Sequence, residues 1–153
     1  MSTANRYVMM QFILFAGLIF SVWMTPSVAD PLQRSLGYGL VLAGLGVALW
    51  AIWSFKRYGR TLPQVSPEAT HGAELVQSGI YGVIRHPIYT GVLLACLGMA
   101  LGHGQALTWL ISGVLLVFFS FKSRFEEGRL RLVYAEYSDY MRRTGRFLPY
   151  INW

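Results

Sequence analysis

The chain has 153 residues, of which 54% are hydrophobic, 15% aromatic and only 13% charged. A charged share about half the roughly 25% of soluble domains excludes an ordinary water-soluble domain, and so apolar a chain is not disordered. A single cysteine, Cys96, excludes an intramolecular disulfide scaffold, and the net charge of +6 reads as the basic loops of a membrane protein, not as a nucleic-acid surface.

A membrane span needs about 20 mostly apolar residues to cross about 30 Å of hydrocarbon. Residues 7–24 are apolar except for Gln11 and Ser21, and 36–55 form an uninterrupted apolar run ending in the interfacial aromatics Trp50, Trp53 and Phe55. Residues 88–101 and 106–121 are shorter and are separated only by Gly102, His103, Gly104 and Gln105, so they read as a tight hairpin that crosses and returns. The first run has one Arg before it and is too long for a cleavable signal, and it is expected to be retained. Small residues recur at Gly39, Ala43 and Gly46 and at Gly91, Ala95 and Gly98, a spacing suited to close helix packing.

Lys and Arg orient the spans. Twelve fall before the first span, between the second and third, and after the fourth, against Arg34 alone on the other side. Both termini and the 56–87 loop are therefore expected on the cytoplasmic face of an integral membrane protein, which in a bacterium is the inner membrane. That loop contains Pro63, Pro67, Gly72 and Gly79 and lacks periodicity; long loops of this kind are often functional. Beyond Phe121 a cap over 122–153 is expected, in which Leu130, Tyr134, Tyr137 and Met141 mark one apolar face of an amphipathic helix, with Gly145 as its stop. The expected fold is thus all-α: a single domain over 1–153, with about four transmembrane helices and a cytoplasmic C-terminal amphipathic helix.

Two polar groups lie where the membrane disfavours them. Arg85 and His86 directly precede Pro87, a residue suited to a first helical turn, and helix N-termini favour anions. Glu126 and Glu127 form an acidic pair five residues after an apolar run, which burial makes costly unless cations answer it. The cations are either neighbouring Arg side chains or a cationic ligand. An amino-acid zwitterion would satisfy both groups. Read individually, Arg85 is a snorkelling charge, His86 a capping residue, Cys96 a packing residue, and His71 and His103 loop histidines. No spacing of Cys, His and carboxylates suggests a metal.

The blocks LVQSGIYGVIRHPIYTG at 75–91 and EEGRLRLVYAEYSDYMRRTGRFLPYI at 126–151 resemble the isoprenylcysteine carboxyl methyltransferase family and its phospholipid and thiol methyltransferase relatives. The resemblance covers the C-terminal half. It implies a membrane methyltransferase that uses S-adenosylmethionine, with Tyr81, Arg85, His86, Tyr89, Gly91, Glu126 and Glu127 around the cofactor and Tyr137 and Tyr140 closing over it. It also implies catalytic parts for Arg85 and Glu127, and for Arg143 a place near a lipophilic acceptor, where it would orient a carboxylate. The implied acceptor is a small molecule or prenylated substrate taken from the bilayer, its methylated group a prenylcysteine carboxylate, a thiol or a lipid headgroup. The chain departs from the family in having few helices, and in carrying Arg143, Thr144 and Gly145 where relatives have a basic residue followed by Val-Pro. A carboxylate or thiolate acceptor needs no general base, whereas an amine does, with His86 the candidate. Two further classes stand beside this one: an NADPH-dependent reductase similar to the sterol reductases, although no Gly-rich phosphate loop is present, and a non-enzymatic membrane assembly protein.

Overall fold

A computed structural model describes residues 3–59 and 75–151; Arg60, Pro63, Pro67, His71 and Gly72 lie outside the described residues. The helices are α1 (Thr3–Met24), α2 (Pro31–Gly59), α3 (Pro87–His103), α4 (Ala106–Val133) and α5 (Tyr137–Arg143), with a 3-10 turn at Gly79–Gly82. The all-helical membrane fold read from the sequence is the fold observed. Three helices, α1, α2 and α4, are long and apolar enough to cross a membrane, and α3 is a shorter apolar helix of 17 residues, about 25 Å long at 1.5 Å per residue.

Helix α3 is shorter than α1, α2 and α4. Its C-terminal end meets the α1–α2 connection, where Val28 N donates to His103 O at 3.0 Å and Gln105 Nε2 donates to Pro26 O at 2.9 Å. Gly104 makes the α3–α4 turn at φ 79°, a left-handed conformation that glycine adopts without a Cβ penalty. His103 is buried there, its Nε2 2.8 Å from Thr25 Oγ1, which makes it a structural residue. The two polar residues of α1 that broke its apolar run both face α4: Ser21 Oγ lies 3.3 Å from Thr108 Oγ1, and Gln11 Oε1 accepts from Lys122 Nζ at 2.6 Å.

Helices α2 and α3 cross at near backbone contact. The stripe Gly91, Ala95 and Gly98 does pack, but its partners are Gly37, Gly44 and Ala48. The expected α2 stripe is displaced: a Cβ added to Gly39 or Gly46 would have nothing within 4 Å, and Ala43 is exposed. The buried positions Gly37, Gly44 and Ala51 repeat every seven residues, the spacing that keeps one seam facing a partner helix. Two small-residue stripes share α2, and only the one on the seam is used. Between α1, α2 and α3 an apolar cleft of about 260 Å³ remains, lined among others by Leu18, Gly44, Ala48, Gly91 and Cys96.

The C-terminal region differs from the expected single amphipathic helix. Residues 122–133 extend α4 beyond its apolar run, the chain breaks at Tyr134 with extended backbone (φ −115°, ψ 113°), and α5 follows as a separate seven-residue helix. The 4, 3, 4 apolar spacing therefore belongs to two helices. Tertiary bonds impose the break: Tyr140 Oη donates to Tyr81 O at 2.7 Å, and Arg85 Nη1 donates to Met141 O at 3.1 Å, contacts that a continued α4 could not reach.

A Cβ on Gly98 would lie 2.6 Å from Gly37 O, whereas one on Gly46 meets open space. Gly98→Val is expected to cost about 1–3 kcal/mol through overpacking and Gly46→Val almost nothing, read as thermal midpoints in detergent. Equal effects would show that the α2–α3 seam is misplaced.

Candidate functional site

Pro87 occupies the first turn of α3, with His86 just before it, where a fixed φ and a missing N–H cost nothing. The segment leading into α3 runs beside residues 144–146. Arg85 N donates to Gly145 O at 2.9 Å, Gly145 N to Val83 O at 3.0 Å, and His86 N to Arg146 O at 3.1 Å, with a parallel bridge between Ile84 and Gly145. This short ladder brings the start of α3 and the C-terminal segment over the same stretch of α4.

From α4 rises Glu127, its side chain 3% exposed. Arg85 Nε donates to Oε1 at 2.8 Å and Arg146 Nη2 donates to Oε2 at 3.0 Å. His86 Nε2 stands 3.3 Å from Oε1 but, although buried, makes no hydrogen bond. Glu126 is the more open of the pair at 13%. Tyr89 Oη donates to its Oε1 at 2.6 Å, Lys122 Nζ lies 3.9 Å from the same oxygen, and His86 Nδ1 lies 3.6 Å from Oε2. The His86 and Tyr89 rings stack, with centroids 5.4 Å apart and planes within 5°. Around this core the C-terminal segment is tied down. Arg85 Nη1 donates to Thr144 O as well as to Met141 O, and Thr90 Oγ1 donates to Phe147 O at 2.7 Å. Burial pushes the phenols of Tyr81, Tyr137 and Tyr140 above their ordinary range, so all three stay neutral.

Arg85, His86, Tyr89, Glu126 and Glu127 thus converge, and Tyr81, Tyr137 and Tyr140 are buried next to them. Two expected residues lie apart. Gly91 faces α2, where a Cβ would be 2.7 Å from Ala48 N. Arg143 is exposed and donates to Gln77 Oε1 at 3.0 Å. The expected gap between an anion subsite at Arg85 and a cation subsite at Glu127 is closed, since these two groups touch. A carboxylate this buried carries a desolvation penalty of several kcal/mol, and the protein's own guanidinium groups meet it permanently. Sequence reasoning missed Arg146, Thr144, Lys122 and Gln11. Lys122 could have been found, because it is the i−4 neighbour of Glu126 on a helix. Arg146 could not, since only the ladder across Ile84 and Gly145 brings it to Glu127.

Fold and site together define a polytopic helical membrane protein with a buried, mixed-charge cluster at one end of its bundle. The phospholipid methyltransferase family model matches residues 32–137, and the chain belongs to that family. It is 31% identical over 125 residues to the cobalt-zinc-cadmium resistance protein CzcN of Cupriavidus metallidurans, covering 80% of this chain and 52% of that one. The chain therefore spans about half the length of this curated relative. Its fold is similar to that of the eukaryotic intramembrane Ras methyltransferase ICMT (isoprenylcysteine carboxyl methyltransferase), with a TM-score of 0.65 at 19% identity over 99% of this chain and 55% of that one. Among the described residues no three His, Cys, Asp or Glu side chains gather as a metal site.

Removing one partner of a buried ion pair leaves the other uncompensated. Arg85→Met is expected to lower stability by about 3 kcal/mol or more, and Arg143→Ala by less than about 0.5 kcal/mol, both by unfolding in detergent. Comparable losses would remove Arg85 from its central place.

Proposed function

We propose that this protein is a membrane methyltransferase that uses S-adenosylmethionine to methylate a lipophilic acceptor, with the prenylcysteine-like carboxylate the preferred acceptor and thiols or lipid headgroups the alternatives. The observation that carries the reading is the convergence of Arg85 and His86 with Glu126 and Glu127 beneath the C-terminal segment, in a chain of the phospholipid methyltransferase family. The active site and both termini are assigned to the cytoplasmic face on the distribution of Lys and Arg. The apolar cleft between α1, α2 and α3 supports an acceptor drawn from the bilayer.

The residues fit a cationic, amino-acid-like cofactor at Glu126 better than between Arg85 and Glu127. Glu126 is the more exposed carboxylate, and His86 Nδ1 comes no closer to its Oε2 than 3.6 Å. Glu127, by contrast, is engaged by Arg85 and Arg146. S-adenosylmethionine bound there supplies a sulfonium methyl for in-line displacement. Glu126 answers the positive charge and, with Tyr89 and His86, orients it; Arg85 and Glu127 fix the frame on which that orientation depends. Tyr81, Tyr137 and Tyr140 close the site as neutral donors and keep water out, and Gly91 lets α3 approach α2 at its edge. Alignment and exclusion of water are the main demands of such a displacement. Arg143, whose partners Gln77 Oε1 and Asp139 O are neutral, is assigned to an acceptor carboxylate. A carboxylate or thiolate acceptor arrives ready to attack, which suits a site without a dedicated base.

Calorimetry on the purified protein in detergent is expected to show binding of S-adenosylmethionine and none of NADPH. Glu126→Gln is expected to weaken that binding about tenfold or more. Radiolabelled methyl is expected in prenylcysteine in preference to phosphatidylethanolamine or an alkyl thiol. A wild-type protein that binds NADPH, or neither compound, refutes the reading.

A further inference from the structure

Lys122 lies against Glu126 with its side chain only 1% exposed, and no role has been given to it so far. Its ammonium is 5.2 Å from the centre of the Tyr89 ring, 3.9 Å from Glu126 Oε1, and donates to Gln11 Oε1 at 2.6 Å. Gln11 sits on α1, outside the 32–137 stretch that carries the family match, and is with Ser21 one of two polar residues in the apolar run 7–24. A buried ammonium needs a compensating anion and filled donor directions. Glu126 supplies the charge, the Gln11 carbonyl takes one donor, and the Tyr89 ring faces the cation with its negative quadrupole. Tyr89 in turn donates to the same Glu126 oxygen that Lys122 approaches, so the two groups hold one carboxylate from two sides. Around α1 this arrangement is supported by packing: Tyr7, one turn before Gln11, lies 5.1 Å from the Phe125 ring and 5.9 Å from that of Phe118.

We propose that Gln11 and Lys122 are positioning residues: Gln11 aims the Lys122 ammonium at Glu126, so that α1 sets the orientation of the Glu126 carboxylate and of the Tyr89 hydroxyl bound to it. The inference deepens the methyltransferase reading and rests on it for the ligand that Glu126 receives. Its physical content is that a helix outside the family-matched segment contributes to the geometry of the site through one long side chain. Outer partners that orient a ligating group carry a large share of a site's affinity without touching the ligand.

The test measures S-adenosylmethionine affinity by calorimetry and thermal midpoints, both on the full chain in detergent. Lys122→Met is expected to weaken binding about tenfold and Gln11→Leu about threefold, with Lys122→Arg within about threefold of wild type. The Gln11→Leu/Lys122→Met double variant is expected to bind no more weakly than Lys122→Met alone, because Gln11 acts through Lys122. A Lys122 that served only stability would lower the midpoint and leave the affinity of the folded protein intact, which would overturn the proposal. So would affinities that fall additively. If the wild type binds no S-adenosylmethionine, the functional reading fails and the positioning is judged from midpoints. The effect of Glu126→Gln is then expected to differ with and without Gln11→Leu when Lys122 is present, and to be the same when it is replaced by Met. Additivity in all backgrounds overturns it.

Discussion

The contact on which the rest of the structure depends is the pairing of Arg85 with Glu127. Neither charge can sit alone at the end of an apolar bundle, because the desolvation penalty of each exceeds any single surface interaction. Satisfying Glu127 requires the start of α3 to meet the extended end of α4, and satisfying the remaining donors of Arg85 requires carbonyls that only the C-terminal segment supplies. One guanidinium therefore joins three parts of the chain that are far apart in sequence. The break after Val133, the separate α5 and the ladder along residues 83–86 all follow from that requirement.

A second constraint acts deeper in the bundle. Lipid supplies no hydrophobic drive between helices, so α2 and α3 associate by close approach of Gly37, Gly44, Gly91 and Gly98. Because this seam leaves no room for adjustment, it fixes the height of Pro87 relative to α2 and hence where Arg85 and His86 emerge. On the other side α1 is registered against α4 by Ser21 with Thr108 and by Gln11 with Lys122, two polar pairs in a surrounding where misplaced polar groups are costly.

Much of this was legible in the sequence because it is local. Apolar run length gives the three long helices and the shorter α3, Pro87 marks the start of α3, and Gly104 marks the turn between α3 and α4. The convergence of Arg85, His86, Glu126 and Glu127 was legible from the cost of polar groups beside a membrane. What failed was reasoning that needed three-dimensional placement. Gly39, Ala43 and Gly46 have the same spacing as the stripe on α3, and only the seam itself shows that Gly37 and Gly44 are used instead. The Leu130–Met141 periodicity is real, but it spans a break set by bonds to Tyr81 and Arg85. Arg146 sits three residues from Arg143 with the same side chain, and one is drawn into the cluster while the other stays in solvent.

Phe147 follows Arg146 directly and belongs to the same core as Leu18, Cys96, Leu115 and Phe119. The C-terminal stretch is consequently fastened twice within two residues, once by charge and once by an aromatic ring sunk among the transmembrane helices. Such a latch cannot fray residue by residue. Releasing it takes one of two guanidinium groups from the Glu127 carboxylate and draws a phenyl group out of the apolar core in the same event.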